Sequence, residues 1–509
     1  MAFIDARTLP NATEISADLI IIGGGMAGIA IAKEWANVGK SVAILESGGH
    51  EPDEAIQALY AGTGAMRAPD NPDRNIDAYL IQSRFRALGG SGNVWGGKCG
   101  PLDPADFAER EWLTRTGWPI TRAQLQPYYD RACQLLEIPA FNRDYDANPL
   151  TDRPPLEVGA EFFSAPRVYS RISGFADRTR FDRFRTDFAE AANISVYLHA
   201  NVTQIRLRSN GRQVEALDVA CLNGNRHTAR AANYILAAGG IENVRILLTS
   251  NGVMREGIGN HSDLVGRCFQ GHVTFGVYEH PNGLNTGLAI TNGQSTTLYT
   301  NGARDVVHCV LGASLEGQRR NRIGNFTTTF FDGPALTDQD GAVLALSGRL
   351  DANGAPAGWK SCFFMSEQFP NPESRLTLHE GHTDALGMPY LHLDWVYSRE
   401  DIELLERAIA ALGDALGAAG KGRVRWPVER SGFLSILSPS RHHMGTTRMS
   451  RDPDDGVVDR NSRVHGVRNL YIAGSSVFPT SGIVNPTLTI IALAMRLSDH
   501  LKRRMGVRA

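Results

Sequence analysis

Apolar and polar residues follow one another along the chain in recognisable textures. The first is a short β-branched run, Leu19-Ile20-Ile21-Ile22, then a glycine turn, Gly23-Gly24-Gly25-Met26-Ala27-Gly28. An alanine-rich segment from Ile29 to Val38 follows, closed by Gly39, and then a second apolar run, Ser41 to Leu45, ending at Glu46. Strand, turn, helix and strand in that order predict a βαβ unit. Ile194 to Ile205 and Tyr234 to Leu248 share this texture, the second as a strand entering Ala237-Ala238-Gly239-Gly240-Ile241-Glu242-Asn243 and then a helix. The texture returns near the end, where Leu470-Tyr471-Ile472-Ala473-Gly474-Ser475 reads as a strand running into a small-residue turn. Asn485 and Pro486 then suit the N-cap and N1 positions of a largely apolar helix that Thr487 continues.

Between residues 266 and 435 the pattern changes to short strand-like runs, such as Val273 to Tyr278, Ser361 to Phe364 and Arg375 to Leu378. One long helix, Glu400 to Ala419, follows, with Gly420 as its C-cap. This predicts an α+β domain on an antiparallel sheet. The expected architecture is α/β, with a Rossmann-like nucleotide domain assembled from residues 15–160, 190–265 and 440–505. It is interleaved with a substrate domain over 266–435 that takes in part of 160–190. The polar stretch 50–80, rich in Asp, Pro and Gly, reads as a long excursion or lid, and 310–360 as a second candidate gate.

Composition narrows the function classes. The 509 residues are 42% hydrophobic and 21% charged with a net charge of −2, ordinary values that give no basic surface for nucleic acid. The apolar runs 19–22 and 488–497 are too short to span a bilayer, and the N-terminus reads as carrying no export signal, so the expected location is cytoplasmic. Six widely spaced cysteines without a CxxC, and a His379/His382 pair lacking a third ligand nearby, predict no metal site.

Gly23, Gly25 and Gly28 stand between strand and helix, and Glu46 ends the next strand at about the twenty-residue spacing of a dinucleotide fingerprint. Gly23 suits the tight turn, Gly25 the close approach of pyrophosphate, and Gly28 the packing of helix on strand. Glu46 suits a ribose and disfavours a 2′-phosphate. The returning strand at 470–475 argues for FAD over NAD, because FAD spans more of a fold. The block Arg441-His442-His443-Met444-Gly445-Thr446-Thr447 adds two adjacent histidines, whose unperturbed pKa near neutrality suits proton removal from an alcohol.

On these pieces, together with Leu88-Gly89-Gly90-Ser91, the chain resembles the glucose–methanol–choline (GMC) oxidoreductases over residues 15–505. The resemblance implies bound FAD, with Gly89, Gly90 and Asn93 along the flavin and Val202 at the adenine. Gly474, Ser475, Asn485 and Thr487 would be the C-terminal cofactor contacts. It selects His442, three residues before Gly445, as the base, and Asn485 as its partner on the substrate oxygen. His443 would then be packed or hydrogen-bonded outside the reaction centre. Glu367, Gln368 and Arg375 fall on a strand that faces the active site in the family, where they would bind substrate hydroxyls or form a sheet salt bridge. Val94 stands near the place where some members tether FAD through a histidine, and no histidine occurs between His50 and His199, so the FAD is expected to be non-covalent.

The resulting expectation is an FAD-dependent oxidoreductase acting on a CH–OH group of a sugar, glycoside, aminoglycoside or related polyol, nearest in motif to pyranose oxidases. The electron acceptor would be oxygen, a quinone or a separate redox protein. The alternatives that the resemblance brings are an FAD-containing lyase, a light-driven decarboxylase, a non-catalytic flavin-binding scaffold, and an oxidase or dehydrogenase of a non-sugar alcohol.

Overall fold

The computed structural model describes residues 3–138, 140–141, 167–172, 180–275, 288–291, 298–301, 305–331, 359–420, 424–425 and 430–507. Its central sheet runs in the order Phe3–Asp5, Ile194–Leu198, Val42–Leu45, Glu14–Ile22, Arg226–Leu236, Val214–Ala220, Asn201–Leu207. The first five strands are mutually parallel, and the last two form an antiparallel extension. Leu470–Ile472 also joins Arg226–Leu236 in parallel, with Tyr234 opposite Leu470 and Leu236 opposite Ile472. Strands buried on both faces need uniformly apolar sequences, and Leu19, Ile20, Ile21, Ile44, Ile235 and Ile472 are all fully buried.

The helix Met26–Trp35 follows the glycine turn and ends before the expected Val38. The reason is a remote side chain. Asn193 accepts from Asn37 N at 2.7 Å and donates to Trp35 O at 2.8 Å and Lys40 O at 2.7 Å, giving the last turn partners outside the helix. The C-terminal helix, Thr487–Arg504, begins one position later than the sequence suggests. Pro486 occupies its N-cap, and no side chain caps it.

A second, antiparallel sheet carries Trp359–Glu367 between Phe326–Phe331 and the strands Leu288–Thr291 and His272–Phe275. Ser438–Pro439 pairs with the outer side of His272–Phe275, which brings the 441–447 block against this sheet. The long helix is Arg399–Ala418, opened by a capping box between Ser398 and Asp401.

The 50–80 excursion supplies the strand Gly62–Arg67 and the helix Asp77–Gln82. Gly62–Arg67 pairs in parallel with Pro389–Val396, in a small sheet that also contains Arg375–Thr383. The excursion is therefore tied by backbone hydrogen bonds to a strand of the 266–435 region. The second candidate gate, 310–360, lies for the most part outside the described residues.

Candidate active site

Three neighbouring parallel strands end in glycine turns on one side of the central sheet. Glu14–Ile22 runs into Gly23, Arg226–Leu236 into Gly239, and Leu470–Ile472 into Gly474. The carboxyl ends of such strands are where open α/β sheets bind ligands. Here the three turns line one cavity of about 880 Å³, near the top of the range for small-molecule sites, roughly 300–1,000 Å³. A Cβ built on Gly25, Gly239 or Gly474 would meet nothing within 4 Å, so each backbone faces open space.

Gly23 makes the tight turn at φ +102°, and a Cβ there would come within 2.7 Å of Ala237 O. A Cβ on Gly28 would lie 2.0 Å from Gly23 O, so this glycine serves helix-on-strand contact and stands behind the cavity wall. Glu46 lies on the wall, 5% exposed, and accepts from Gly24 N at 2.7 Å and Gly48 N at 2.8 Å. Burial pushes its carboxyl pKa up, against the pull of those two N–H groups and of Arg86. Val202 lines the same cavity.

In the glycine-rich segment Gly90 reaches the cavity, but Gly89 and Asn93 do not. Asn93 donates to Leu88 O at 2.7 Å and accepts from Asp182 N at 3.1 Å, and a Cβ on Gly89 would strike its Oδ1 at 2.1 Å. The pair shapes the turn from behind. Ser91, Val94 and Trp95 are on the wall instead.

The C-terminal block is tied to the nucleotide sheet by short polar contacts. Thr446 Oγ1 donates to Gly240 O at 2.5 Å, Ser475 Oγ to His443 O at 2.6 Å, and Asn243 Nδ2 to Ser476 Oγ at 3.1 Å. These contacts set His442, Gly474, Ser475, Asn485 and Thr487 around the cavity. His442 Nε2 lies 3.2 Å from Asn485 Nδ2, and His442 Nδ1 lies 2.7 Å from Nδ1 of His272. The amide of Asn485 thus serves the histidine, and the plain N-cap reading of this residue does not hold. Burial, then the neighbouring His272 and His443, holds the pKa of His442 well below 6.5, so the ring is neutral at neutral pH, with one nitrogen lone pair open to a proton. His443 packs edge-on against Tyr79 at a centroid distance of 5.6 Å, and burial, with Arg84 and Arg441, lowers its pKa to about 3.

The three residues expected to face substrate are engaged elsewhere and do not line the cavity. Glu367 is in a buried two-point ion pair with Arg110, and its Oε1 also accepts from Asn325 N at 2.7 Å. Gln368 Oε1 accepts from Trp395 Nε1 at 2.8 Å. Arg375 reaches Asp263 at 3.1 Å. Of the two readings offered for this strand, ion pairing is the one the contacts of Glu367 and Arg375 match. From the same sheet it is Met365, Thr327 and Thr274 that reach the cavity.

Three features had no separate reading in the sequence. One is His272, the Nδ1 partner of His442. The others are Arg86 and Glu242, which meet at 2.6 Å in a buried cluster with Arg84 and Arg245. Burial alone would raise the Glu242 pKa, but Arg86, Arg245 and Arg84 bring it down to about 2. Arg84 and Arg86 also stand over the Tyr60 ring, 3.8 and 4.2 Å from its centroid. The sequence signs of this cluster were the place of Glu242 in the glycine motif 237–243 and of Arg86 two residues before Leu88-Gly89-Gly90. Among the described residues no group of three or more His, Cys, Asp or Glu could hold a metal, and no helix is long and apolar enough to cross a membrane.

Residues 370–494 match the family model described as GMC oxidoreductase. The chain is 25% identical to 2-methyl-1,2-propanediol dehydrogenase of Mycolicibacterium austroafricanum, covering 96% of each protein. It is also 25% identical to 6'''-hydroxyparomomycin C oxidase of Streptomyces lividus, covering 96% of this chain and 92% of that one. Among solved structures, formate oxidase of Aspergillus oryzae RIB40, studied for FAD modification, superposes with a TM-score of 0.58 at 15% identity. That match covers 98% of this chain and 100% of the other, a likeness of fold. The chain carries the C-terminal domain of the GMC oxidoreductases, and the enzymes of that family are FAD-dependent. The three open glycine turns, the acid Glu46 and the size of the cavity fit that dinucleotide.

Proposed function

We propose that this chain, an oxidoreductase with the GMC C-terminal domain, oxidises a CH–OH group of a sugar, glycoside, aminoglycoside or related polyol to a carbonyl. The observation that carries the reading is the neutral His442 paired with Asn485 on the wall of the dinucleotide-sized cavity. Gly23, Gly25, Glu46, Val202, Gly90, Gly474, Ser475 and Thr487 would hold FAD, with Gly28, Gly89 and Asn93 shaping the turns behind them. When bound, FAD supplies the acceptor for a hydride. The rest of the chemistry belongs to the chain. His442 takes the hydroxyl proton at Nε2, and Asn485 donates an N–H to the oxygen as negative charge grows on it. Thr274, Thr327 and Met365 give the neighbouring wall small polar and apolar contacts suited to a hydroxylated ring. The sugar-like substrate class is supported by the aminoglycoside-oxidising relative.

Attachment of the FAD is non-covalent in this reading, supported by Val94 on the cavity wall and by the histidine-free stretch around it. Acid precipitation should release all of the flavin into the supernatant. The functional test is anaerobic titration of the yellow protein with sugars, glycosides, aminoglycosides and simple alcohols. Bleaching by members of the first three groups is the expected result. Bleaching by simple alcohols alone would overturn the substrate class, and turnover of a substrate without bleaching would indicate a lyase.

A further inference from the structure

We infer that His272 is a positioning residue for proton removal, holding His442 in the one tautomer whose Nε2 is free to accept the substrate's proton. The inference rests on the base reading above and adds a residue to it. His272 opens the strand His272–Phe275 and is fully buried. Its own backbone N–H donates to Ser440 Oγ at 2.8 Å, and the next two residues, Val273 and Thr274, pair with Pro439 and Ser438. The segment that leads into His442 is therefore fastened to the strand that carries His272. The two rings meet edge to face, with centroids 4.8 Å apart.

The proton positions follow from the partners. His272 Nε2 lies 3.1 Å from Gly482 O, and a carbonyl only accepts, so the hydrogen of His272 is on Nε2. A neutral imidazole has one N–H, which leaves His272 Nδ1 as an acceptor. His442 Nδ1, 2.7 Å away, must then be the donor. That leaves His442 Nε2 bare, and it faces the N–H of Asn485, a donor, at 3.2 Å. All three contacts agree on one direction: Asn485 to His442, His442 to His272, His272 to Gly482. The reverse arrangement would set two acceptors against each other at Gly482 and two donors against each other at Asn485. Burial holds the pKa of His272 down to about 4, which keeps it neutral and accepting at neutral pH. When His442 gains the substrate's proton at Nε2, its Nδ1–H is already donated to a neutral acceptor, which stabilises the new charge on that side of the ring, while the Asn485 N–H passes from Nε2 to the substrate oxygen.

The test is nitrogen NMR of the FAD-loaded protein labelled with ¹⁵N in histidine, with the His442 signals assigned by their loss in His442→Ala. The expected wild-type result is His442 protonated at Nδ1 and bare at Nε2. In His272→Leu the single tautomer should be lost, and the limiting rate of anaerobic flavin reduction should fall about 10- to 100-fold, the scale of a lost orienting partner. In His272→Asn, Oδ1 replaces the accepting nitrogen, and both the tautomer and most of the rate should return. Wild-type His442 protonated at Nε2 would overturn the inference, even if His272→Leu fails to fold. So would an unchanged tautomer and rate in a folded His272→Leu. The base reading fails separately, if His442→Ala reduces its flavin as fast as wild type does.

Discussion

His442 Nε2 and Asn485 Nδ2 stand 3.2 Å apart, although 43 residues separate them in sequence. The strand Leu470–Ile472 makes the contact possible. By joining the central sheet beside Arg226–Leu236 it brings both flanks of the 470s to the carboxyl end of the same strands. Because the Asn485 side chain faces the histidine and caps nothing, its two tasks can be separated. Asn485→Ala should lower the limiting rate of flavin reduction about 100-fold, in line with loss of one donor to a developing oxyanion. Thermal stability should barely move. A rate within threefold of wild type, with a melting point several degrees lower, would assign the residue to the helix instead.

Two glycines of one motif should respond in opposite ways. A side chain at Gly25 meets nothing within 4 Å of its Cβ, and the backbone is extended there, at φ −82°. Gly25→Val should fold with only the small loss of a poorer N-cap, about 1 kcal/mol, and bind no flavin. A Cβ at Gly28 would sit 2.0 Å from Gly23 O, so Gly28→Ala should lose stability by about 1–3 kcal/mol, the usual cost of overpacking. The absorbance ratio of flavin to protein and the urea midpoint check both. A yellow Gly25→Val would contradict the placement of the cofactor.

The buried pair of Arg110 and Glu367 predicts that Glu367 matters for folding more than for substrate. Glu367→Ala strips the buried Arg110 of the carboxylate that meets it at two points and should cost about 3–5 kcal/mol. At a temperature where the variant remains folded, its KM should match that of wild type. A raised KM with unchanged stability would restore Glu367 to the substrate site.

His443 gives a pH signature whose sign follows from burial. Its pKa falls from 6.5 in the unfolded chain to about 3 when folded, so the folded state resists the proton that the unfolded state takes. The stability it contributes is complete above pH 6.5 and drains away as pH falls towards 3. Between pH 7 and pH 5 this amounts to about 2 kcal/mol, at 1.36 kcal/mol per unit of pH. His443→Gln lacks the group, so the stability gap between wild type and variant should narrow by that amount over the interval. Urea unfolding at the two pH values reads it, and a constant gap would mean that His443 is not held neutral.

What could be read from sequence was local. The β-branched runs, the glycine turns and Glu46 lie within a few residues of one another, so propensity and spacing suffice for the βαβ unit. The proximity of His442 and Asn485 was expected from the family resemblance, which two compact motifs carry. The remainder depends on register between distant segments. Gly62–Arg67 contains two glycines and no alternating apolar pattern, and becomes a strand only because Pro389–Val396 is there to pair with it. The first helix stops at Trp35 because Asn193 supplies partners for the chain beyond it. His272 looks like any histidine at the head of a strand, and only the pairing of Val273 with Pro439 brings it to His442. Glu367 lies on the expected sheet, but the side chain turns to Arg110, a residue for which the sequence offers no pairing signal.

His442 is proposed as the base of a flavin-dependent alcohol oxidation. The most direct test of this role is single-turnover, anaerobic flavin reduction by the substrate found in the titration, comparing wild type with His442→Ala at equal FAD content. Wild type should bleach in one fast phase, and the variant should bind FAD as tightly yet bleach about 10²- to 10⁴-fold more slowly, the range of general-base catalysis. Bleaching of the variant at the wild-type rate would contradict the account.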